Sequence, residues 1–327
     1  MPANVQSMAY YGEKPWHGLG KAVPKGLTAE EMIKAAGLDW LVKKRPARGA
    51  RQTNSKGDFS RYEVVRLPRP ETLEEEVILG IVGRHYRVLQ NSEAFNFFDP
   101  IIKEGKSYFE TAGVIGDGER IWVMARMPGA MEIVSGDECY NYLLLSNAHN
   151  GEGAVIIKFT PIRVVCQNTL MLALRNGQKA YRVRHTKGMP SRLKEISDFL
   201  AIIRKIFLEA EVLFKQLARI QITGRLLFEY LDAVFPRTEK QKKDNEQPRT
   251  WDEILKIFDT ASSLQIPGVK GTLWGAYNAI TQFEDYKRPS KDEKPDKRLE
   301  RIWFGSGADV KLRALQKAYE LSRSWLN

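Results

Sequence analysis

The hydrophobic periodicity of this chain changes near residue 190, and that change constrains the fold more than any other feature. Before residue 190, short apolar runs of strand length are separated by turn residues, which indicates antiparallel strands mixed with helix. After residue 190, apolar residues recur at alternating spacings of three and four, as they do on one face of a helix. The sequence therefore predicts an α+β protein, with a mixed domain over residues 1–190 and a mostly helical domain over residues 191–327.

The first part of the chain contains four runs with the composition of strands and one short predicted helix. Asn150 and Gly151 separate two apolar runs and favour a tight hairpin turn. Residues 91–105 have helical apolar spacing, with Ser92 as the expected N-cap and Glu93 near the positive end of the helix dipole. The predicted strands are RYEVVRLP, EEVILGIVG, RIWVMARMPG and CYNYLLLSN.

A further helix is predicted after the hairpin, over residues 161–175. Thr160 is a favourable N-cap, and Pro161 suits the first helical position, where its missing N–H is harmless. Asn176 and Gly177 suit the left-handed backbone that ends many helices. This helix and the hairpin form the expected hairpin-helix core of the N-terminal domain.

The strongest helical pattern covers residues 191–220. Its apolar seam extends over nearly four heptads, in a helix about 45 Å long. A stripe this wide packs either against later helices of the chain or against a second subunit. Polar loops interrupt the helical region, which favours the second alternative and a homo-oligomer. The seam consists of Leu193, Ile196, Leu200, Ile203, Phe207, Ala210, Phe214 and Leu217.

The net charge of +11 is concentrated in two acid-free stretches. Residues 153–194 contain nine Lys and Arg side chains and no Asp or Glu, and residues 40–57 contain six and none. Clustered positive charge favours a polyanion, and phosphate contacts are the main source of affinity for nucleic acid. A solvated basic surface with no ligand is the alternative.

The segment QKAYRVRHTKG is the centre of the predicted binding site. If it is extended, Lys179, Tyr181 and His185 lie on one side, and Arg182 and Arg184 lie on the other. Basic side chains would contact phosphates and Tyr181 would stack on a base, as in proteins that bind single strands. The alternative is an exposed basic loop. The complete predicted site comprises Lys158, Arg163, Arg175, Lys179, Tyr181, Arg182, Arg184, His185 and Lys187.

Nucleophilic catalysis would require Cys166 to act with His149 or His185 as its base. On the predicted helix, Cys166 lies beyond the N-terminal amides and faces the apolar side, so we interpret it as a small core residue. The histidines and cysteines show no zinc-ligand spacing, and no phosphate-binding glycine loop is present. We therefore expect no catalysis, metal or cofactor, and an enzyme with an unrecognised site stays open as an alternative.

The cysteine content and the apolar runs bear on the compartment. Two cysteines cannot form a disulfide framework, and the first twenty residues lack a basic region followed by an apolar one. No apolar run approaches the roughly 18 to 20 residues that span a bilayer. These features predict a reduced, cytoplasmic protein with no membrane partner.

Several segments, in order and over nearly the whole chain, resemble the phage- and plasmid-borne family built around domain of unknown function 932. They are PWHGLG, YRVLQNSEAFNFFDPI, GERIWVMARMPG, SNAHNGEGAVIIKFTPIRVVCQNTL, YRVRHT and TLWGAYNAITQFEDY. The resemblance implies a mobile-element origin and a bacterial cytoplasm, and it implies no particular activity.

The predicted hairpin and helix, with positive charge beside them, are also similar in topology to the core of single-strand annealing recombinases. Those proteins assemble into rings or filaments and hold single-stranded DNA in a basic groove. The resemblance implies sequence-independent binding and annealing of single-stranded DNA by an oligomeric phage or plasmid protein. The alternatives are a non-enzymatic protein that binds a host factor, and the enzyme mentioned above.

Overall fold

The computed structural model describes residues 5–12, 18–53, 57–69, 72–163, 168–169, 180–198, 203–222, 224–289 and 298–325. The chain divides into two compact units, each assembled from several stretches of sequence. The first unit comprises Met1–Pro128, Tyr142–Phe159 and Ala180–Ile202, and the second comprises Gly129–Asn141, Thr160–Lys179 and Ile203–Asn327. Strands dominate before residue 190 and helices dominate after it, which confirms the α+β prediction.

The described strands form two sheets. Their bounds are β1 Val5–Tyr10, β2 Lys21–Ala22, β3 Val42–Pro46, β4 Tyr62–Arg66, β5 Val77–Val82, β6 Tyr108–Ile115, β7 Arg120–Val134, β8 Asp137–Ala148, β9 Val155–Arg163, β10 Asn168–Thr169 and β11 Tyr181–Val183. The larger sheet has the order β10-β9-β8-β7-β6-β1-β2, with β11 also paired to β9, and the smaller sheet has the order β3-β4-β5.

Most of the described helices lie in the last third of the chain. Those before residue 200 are α1 Ala29–Ala35, α2 Asn91–Asn96, α3 Asp99–Ile102 and α4 Met189–Asp198. Those after it are α5 Ile203–Arg219, α6 Gly224–Val234, α7 Glu239–Lys243, α8 Arg249–Thr260, α9 Leu273–Gln282, α10 Arg298–Trp303 and α11 Ser306–Trp325. Among the described residues, no helix combines the length and apolar character needed to cross a bilayer.

All four predicted strands are confirmed, as β4, β5, β7 and β8. Asn150 and Gly151 lie in the connection between β8 and β9, which are neighbours in the sheet. Gly151 has a φ of 82°, a left-handed conformation that glycine adopts without a steric cost. The predicted hairpin turn is therefore confirmed.

The helix predicted over residues 91–105 is correct in type and wrong in detail. It consists of two short helices, α2 and α3, because Pro100 has no N–H with which to continue the hydrogen bonds of the first. Ser92 is not the N-cap, since α2 already begins at Asn91. The backbone N–H of Gln90 donates to the Glu93 carboxylate at 2.7 Å and closes the first turn.

The helix predicted over residues 161–175 is wrong in its described part. Pro161 and Ile162 continue β9, and Asn168 and Thr169 form β10, which pairs antiparallel with β9. A proline disfavours the helical conformation of the residue before it, and the β-branched residues that follow suit a strand. Thr160 is therefore a strand residue and not a cap, and Cys166 lies outside the described residues.

The long helix predicted over residues 191–220 corresponds to α4 and α5, and residues 199–202 between them lie outside the described residues. In the second unit, the seam of α5 is buried by later helices of the same chain. The Phe214 ring is fully buried, with centroid distances of 4.7 Å to Trp274 and 6.4 Å to Tyr277. The covering of this part of the seam is therefore intramolecular.

Buried charges in the second unit are paired. The fully buried Lys311 ammonium lies 2.6 Å from the Asp285 carboxylate. The Glu284 carboxylate, also buried, accepts hydrogen bonds from Arg288 and Arg301. Glu284 and Asp285 lie in the π-helical turn Phe283–Lys287, which extends α9. These cations are neutralised inside the unit and cannot serve a ligand.

We expect Phe214→Ala to lower the free energy of unfolding by about 3–5 kcal/mol, because the truncation leaves a cavity against Trp274 and Tyr277. Glu209→Ala on the same helix is the control, since the Glu209 side chain is 62% exposed and its change should stay within about 0.5 kcal/mol. Urea unfolding followed by tryptophan fluorescence measures both. Similar losses in the two variants would contradict the assignment of the buried face.

Candidate nucleic-acid interface

Strand β11 has one buried side and one exposed side. It pairs antiparallel with β9, with Arg182 opposite Ile156 and Val183 opposite Val155. Arg182 and Arg184 are exposed, whereas Val183 and His185 are buried. Because successive residues of a strand point to opposite faces, the two arginines project outward together. The alternation predicted for this segment is confirmed.

The predicted site residues do not all reach the surface. Arg182, Arg184 and Lys187 are exposed, and Tyr181 is half-buried with its ring edge against Phe159. Lys158 and His185 are only 2% and 6% exposed, so their prediction as phosphate contacts at the surface is wrong. The Arg163 side chain, Arg175 and Lys179 lie outside the described residues.

The burial of Lys158 and His185 follows from their place in the sheet. Residues 155–161 of β9 are all buried, so Lys158 lies in a strand that is covered on both faces of the sheet. His185 follows β11 on its inward side, in register with Tyr181 and Val183. Tyr181 is on that same inward side, so its ring and the two outward arginines cannot contact one and the same face of a ligand.

His185 joins β11 to a segment 98 residues earlier in the chain. The backbone N–H of Arg87 donates to the His185 carbonyl at 3.0 Å, and His185 Nδ1 lies 2.9 Å from the Arg87 carbonyl oxygen. The imidazole stacks on the Tyr86 ring at 4.6 Å, and the Tyr86 hydroxyl donates to the Ala148 carbonyl at 3.0 Å. Burial lowers the pKa of His185, so near neutral pH the ring is uncharged and Nδ1 carries the donated proton.

This pairing brings exposed cations from two segments together. Five cations are involved, and within the described part of the chain Arg84 is the one that has an acidic partner, Asp58, at 3.9 Å. Exposed cations that lack acidic partners are the side chains that phosphate groups can neutralise. We refer to the set as the basic cluster, which comprises Arg84, Arg87, Arg182, Arg184 and Lys187.

Sequence analysis did not identify Arg84 and Arg87. Their segment, GRHYR, contains two arginines, a histidine and a tyrosine, as YRVRH does, and that shared composition is the signal in the sequence. It was weak, because Arg84 and Arg87 lie outside both acid-free stretches. Only the contact between residues 87 and 185 shows that the two segments share a surface.

A second group of polar side chains lies buried in the first unit, around His149. His149 Nε2 is 3.1 Å from Asn91 Oδ1 and 3.3 Å from Asn147 Nδ2, and the Trp40 ring packs against the imidazole. Burial lowers the pKa of His149 from 6.5 to about 3, with a smaller contribution from His185. A histidine this buried and this weakly basic does not suit a general base that works near neutral pH.

The described residues also contain no cluster of side chains suited to bind a metal ion. No group of three or more His, Cys, Asp or Glu side chains within them is placed to hold a metal ion. Cys139 is buried in β8, and Cys166, the nucleophile considered from the sequence, lies outside the described residues. The candidate site is the exposed basic cluster, which rests on its own geometry.

The two buried histidines should make the protein less stable as the pH falls. Burial lowers the pKa of both histidines in the folded state, so below pH 6.5 the unfolded chain binds protons that the folded chain does not, and for His149 this holds down to about pH 3. The free energy of unfolding should decrease through this window by up to about 1.4 kcal/mol per pH unit for each histidine. Urea unfolding at a series of pH values measures the slope.

His149→Gln should flatten this pH dependence, and His85→Gln, at an exposed position, is the matched control. The glutamine at residue 149 cannot take up a proton in this range, so the variant should lose the contribution of His149 and keep those of His185 and the carboxylates. An unchanged slope in His149→Gln would show that His149 is not the neutral buried group described above.

Comparison with known proteins identifies a family and no function. Residues 78–303 match the family described as Domain of unknown function (DUF932). No curated protein and no solved structure matches the chain. The matched region includes Arg84, Arg87 and all of β11, so the basic cluster lies within the family domain.

Proposed function

Because the chain belongs to the DUF932 family, whose members share a domain of unknown function, we propose an activity from the geometry alone. The protein binds single-stranded DNA without reading its sequence, and it anneals strands as a phage or plasmid protein. The observation that carries this proposal is the pairing of Arg87 with His185, which places cations from two distant segments on one surface.

The arrangement of the cluster supports an extended polyanion as the ligand. Alternate residues of a strand lie about 7 Å apart, so Arg182 and Arg184 form a row that can follow a single-stranded backbone. Guanidinium groups bind phosphates in a bidentate manner and also stack on bases, and neither contact depends on base identity. We expect Tyr181 to support the strand from its inward side rather than to stack on the same bases.

Annealing requires that several protomers present bound strands together, and α5 offers a surface for assembly. Leu208 and Val212 are 55% and 68% exposed and lie one turn apart. They are outside the buried seam, since Phe207, Ala210 and Phe214 point into the second unit. An exposed apolar pair on a long helix favours self-association. We therefore propose a homo-oligomer that uses this face.

The double variant Arg87→Ala/Arg184→Ala should weaken binding to labelled oligo-dT and make it less sensitive to salt. Each lost phosphate contact should reduce the slope of log affinity against log salt by about 0.7 for a single strand, so the pair should reduce it by about 1.4. Fluorescence anisotropy over a potassium chloride series measures affinity and slope together. Duplex DNA of equal length serves as the competing ligand.

Lys21→Ala/Lys106→Ala is the matched control, since it removes two exposed cations of the same unit that lie outside the cluster and have no acidic partner within the described residues. It should leave the salt slope near that of the wild-type protein. If the wild-type protein shows no salt-dependent affinity for any nucleic acid, the proposal is wrong, and a protein partner becomes the better hypothesis. A preference for duplex DNA would contradict the single-strand assignment.

Leu208→Asp/Val212→Asp should convert an oligomer into a folded monomer, because two charges cannot be buried unpaired at an interface. Light scattering after size exclusion, with and without oligo-dT, measures the mass. Both residues are exposed, so the variant should keep the circular dichroism spectrum of the wild type. A wild-type protein that is monomeric under both conditions would remove the assembly and weaken the annealing proposal.

A further inference from the structure

We propose that the hairpin beyond β3 and β4 is a second nucleic-acid contact that extends the basic cluster along the same strand of DNA. The hairpin comprises residues 47–53 and 57–61, and we call it the basic arm. This inference rests on the proposed function and goes further, because it predicts a bipartite site and therefore a minimum length for tight-binding ligands. Four observations in the first unit support it.

The basic arm is an ordered continuation of the small sheet. Beyond the last pair of β3 and β4, the N–H of Ala47 donates to the Arg61 carbonyl at 3.2 Å, and the N–H of Ser60 donates to the Arg51 carbonyl at 2.8 Å. An isolated bridge joins Gln52 to Phe59. These bonds fix the arm as a hairpin, so its side chains have defined positions relative to the sheet.

The arm carries exposed cations. Arg48, Arg51 and Arg61 are exposed, and within the described residues none of the three has an acidic partner. The one acid between residues 47 and 61 is Asp58, and its carboxylate lies 3.9 Å from Arg84 of the basic cluster. The positive charge of the arm is therefore available to a ligand.

The base of the arm is attached to the segment that carries the cluster. The Lys44 ammonium donates to the carbonyls of Arg84 and Tyr86, both at 2.8 Å, and lies 4.7 Å from the centre of the Tyr62 ring. Lys44 is thereby used as a structural tie, in contrast to the three arginines of the arm.

The connection between arm and cluster is short. Residues 84–87 contact two other segments. The carbonyls of Arg84 and Tyr86 accept from Lys44 of β3, and Arg87 pairs with His185, which follows β11. The two acid-free stretches of the sequence therefore meet at one short segment. A polyanion that occupies the cluster therefore lies beside the segment to which the base of the arm is attached.

The test uses the triple variant Arg48→Ala/Arg51→Ala/Arg61→Ala with labelled oligo-dT of increasing length. With long oligonucleotides, the slope of log affinity against log salt should become shallower by about 2, at roughly 0.7 per contact. The loss of affinity should be small for the shortest oligonucleotides, which the cluster alone can hold, and should grow with length. A loss that does not depend on length would overturn the inference.

Two matched variants isolate the effect of arm charge. The triple change of the same arginines to lysine keeps the charge and should retain most of the affinity for long oligonucleotides. Lys21→Ala/Lys25→Ala/Lys106→Ala removes three exposed cations of the same unit that lie outside both surfaces and have no acidic partner within the described residues, and it should leave the slope unchanged. If the arm variant matches this control at every length, the arm is not a contact.

Failure of the inference can be distinguished from failure of the proposed function. If Arg87→Ala/Arg184→Ala weakens binding and the arm variant does not, the cluster stands and the arm inference falls. If neither variant weakens binding, both fall. If only the arm variant weakens binding, the cluster is not a contact, and both the proposed function at the cluster and the inference that the arm extends it are wrong. Thermal unfolding of each variant verifies that these surface changes leave the fold intact.

Discussion

The pairing of Arg87 with His185 is the interaction on which the candidate surface depends. Two backbone segments 98 residues apart are fixed by reciprocal contacts, and a neutral imidazole stacked on Tyr86 fills the space behind them. Outward side chains on both segments are then held on a rigid backbone. Cations positioned in this way lose less conformational entropy on binding than cations on a free loop.

The buried histidines illustrate why residue type alone does not define a role. His149 and His185 both pack against aromatic rings. Their burial disfavours the charged form and lowers the pKa of each, so both imidazoles are neutral near pH 7. His149 Nδ1 and His185 Nε2 have no hydrogen-bond partner within the described residues. Each leaves a polar atom unsatisfied, which costs stability. The contacts they do make join separate segments, and this role explains their burial without any catalytic chemistry.

Local sequence patterns correctly predicted the structures that depend on neighbouring residues. They failed for segments whose structure or position depends on pairing with a distant part of the chain. The strand runs, the Asn150–Gly151 turn and the alternation of Arg182 with Val183 were predictable from composition and period. The helix predicted after Thr160 was wrong because the favourable N-cap and Pro161 are local signals, whereas the conformation of this segment depends on its pairing within the sheet. Arg84 and Arg87 could not be assigned to the site, since only a long-range contact places them there.

The net charge of +11 is informative only when cations paired with carboxylates are separated from cations that are exposed and unpaired. In the second unit, Lys311, Arg288 and Arg301 are neutralised by buried carboxylates, and in the first unit Arg45 contacts both Glu63 and Glu76. Cations used in this way contribute to folding and add little to the outer field. The cations of the basic cluster and the basic arm are exposed and lie around one short segment. Since the potential near a surface depends on local charge within about 10 Å, these exposed cations raise the positive potential around this segment.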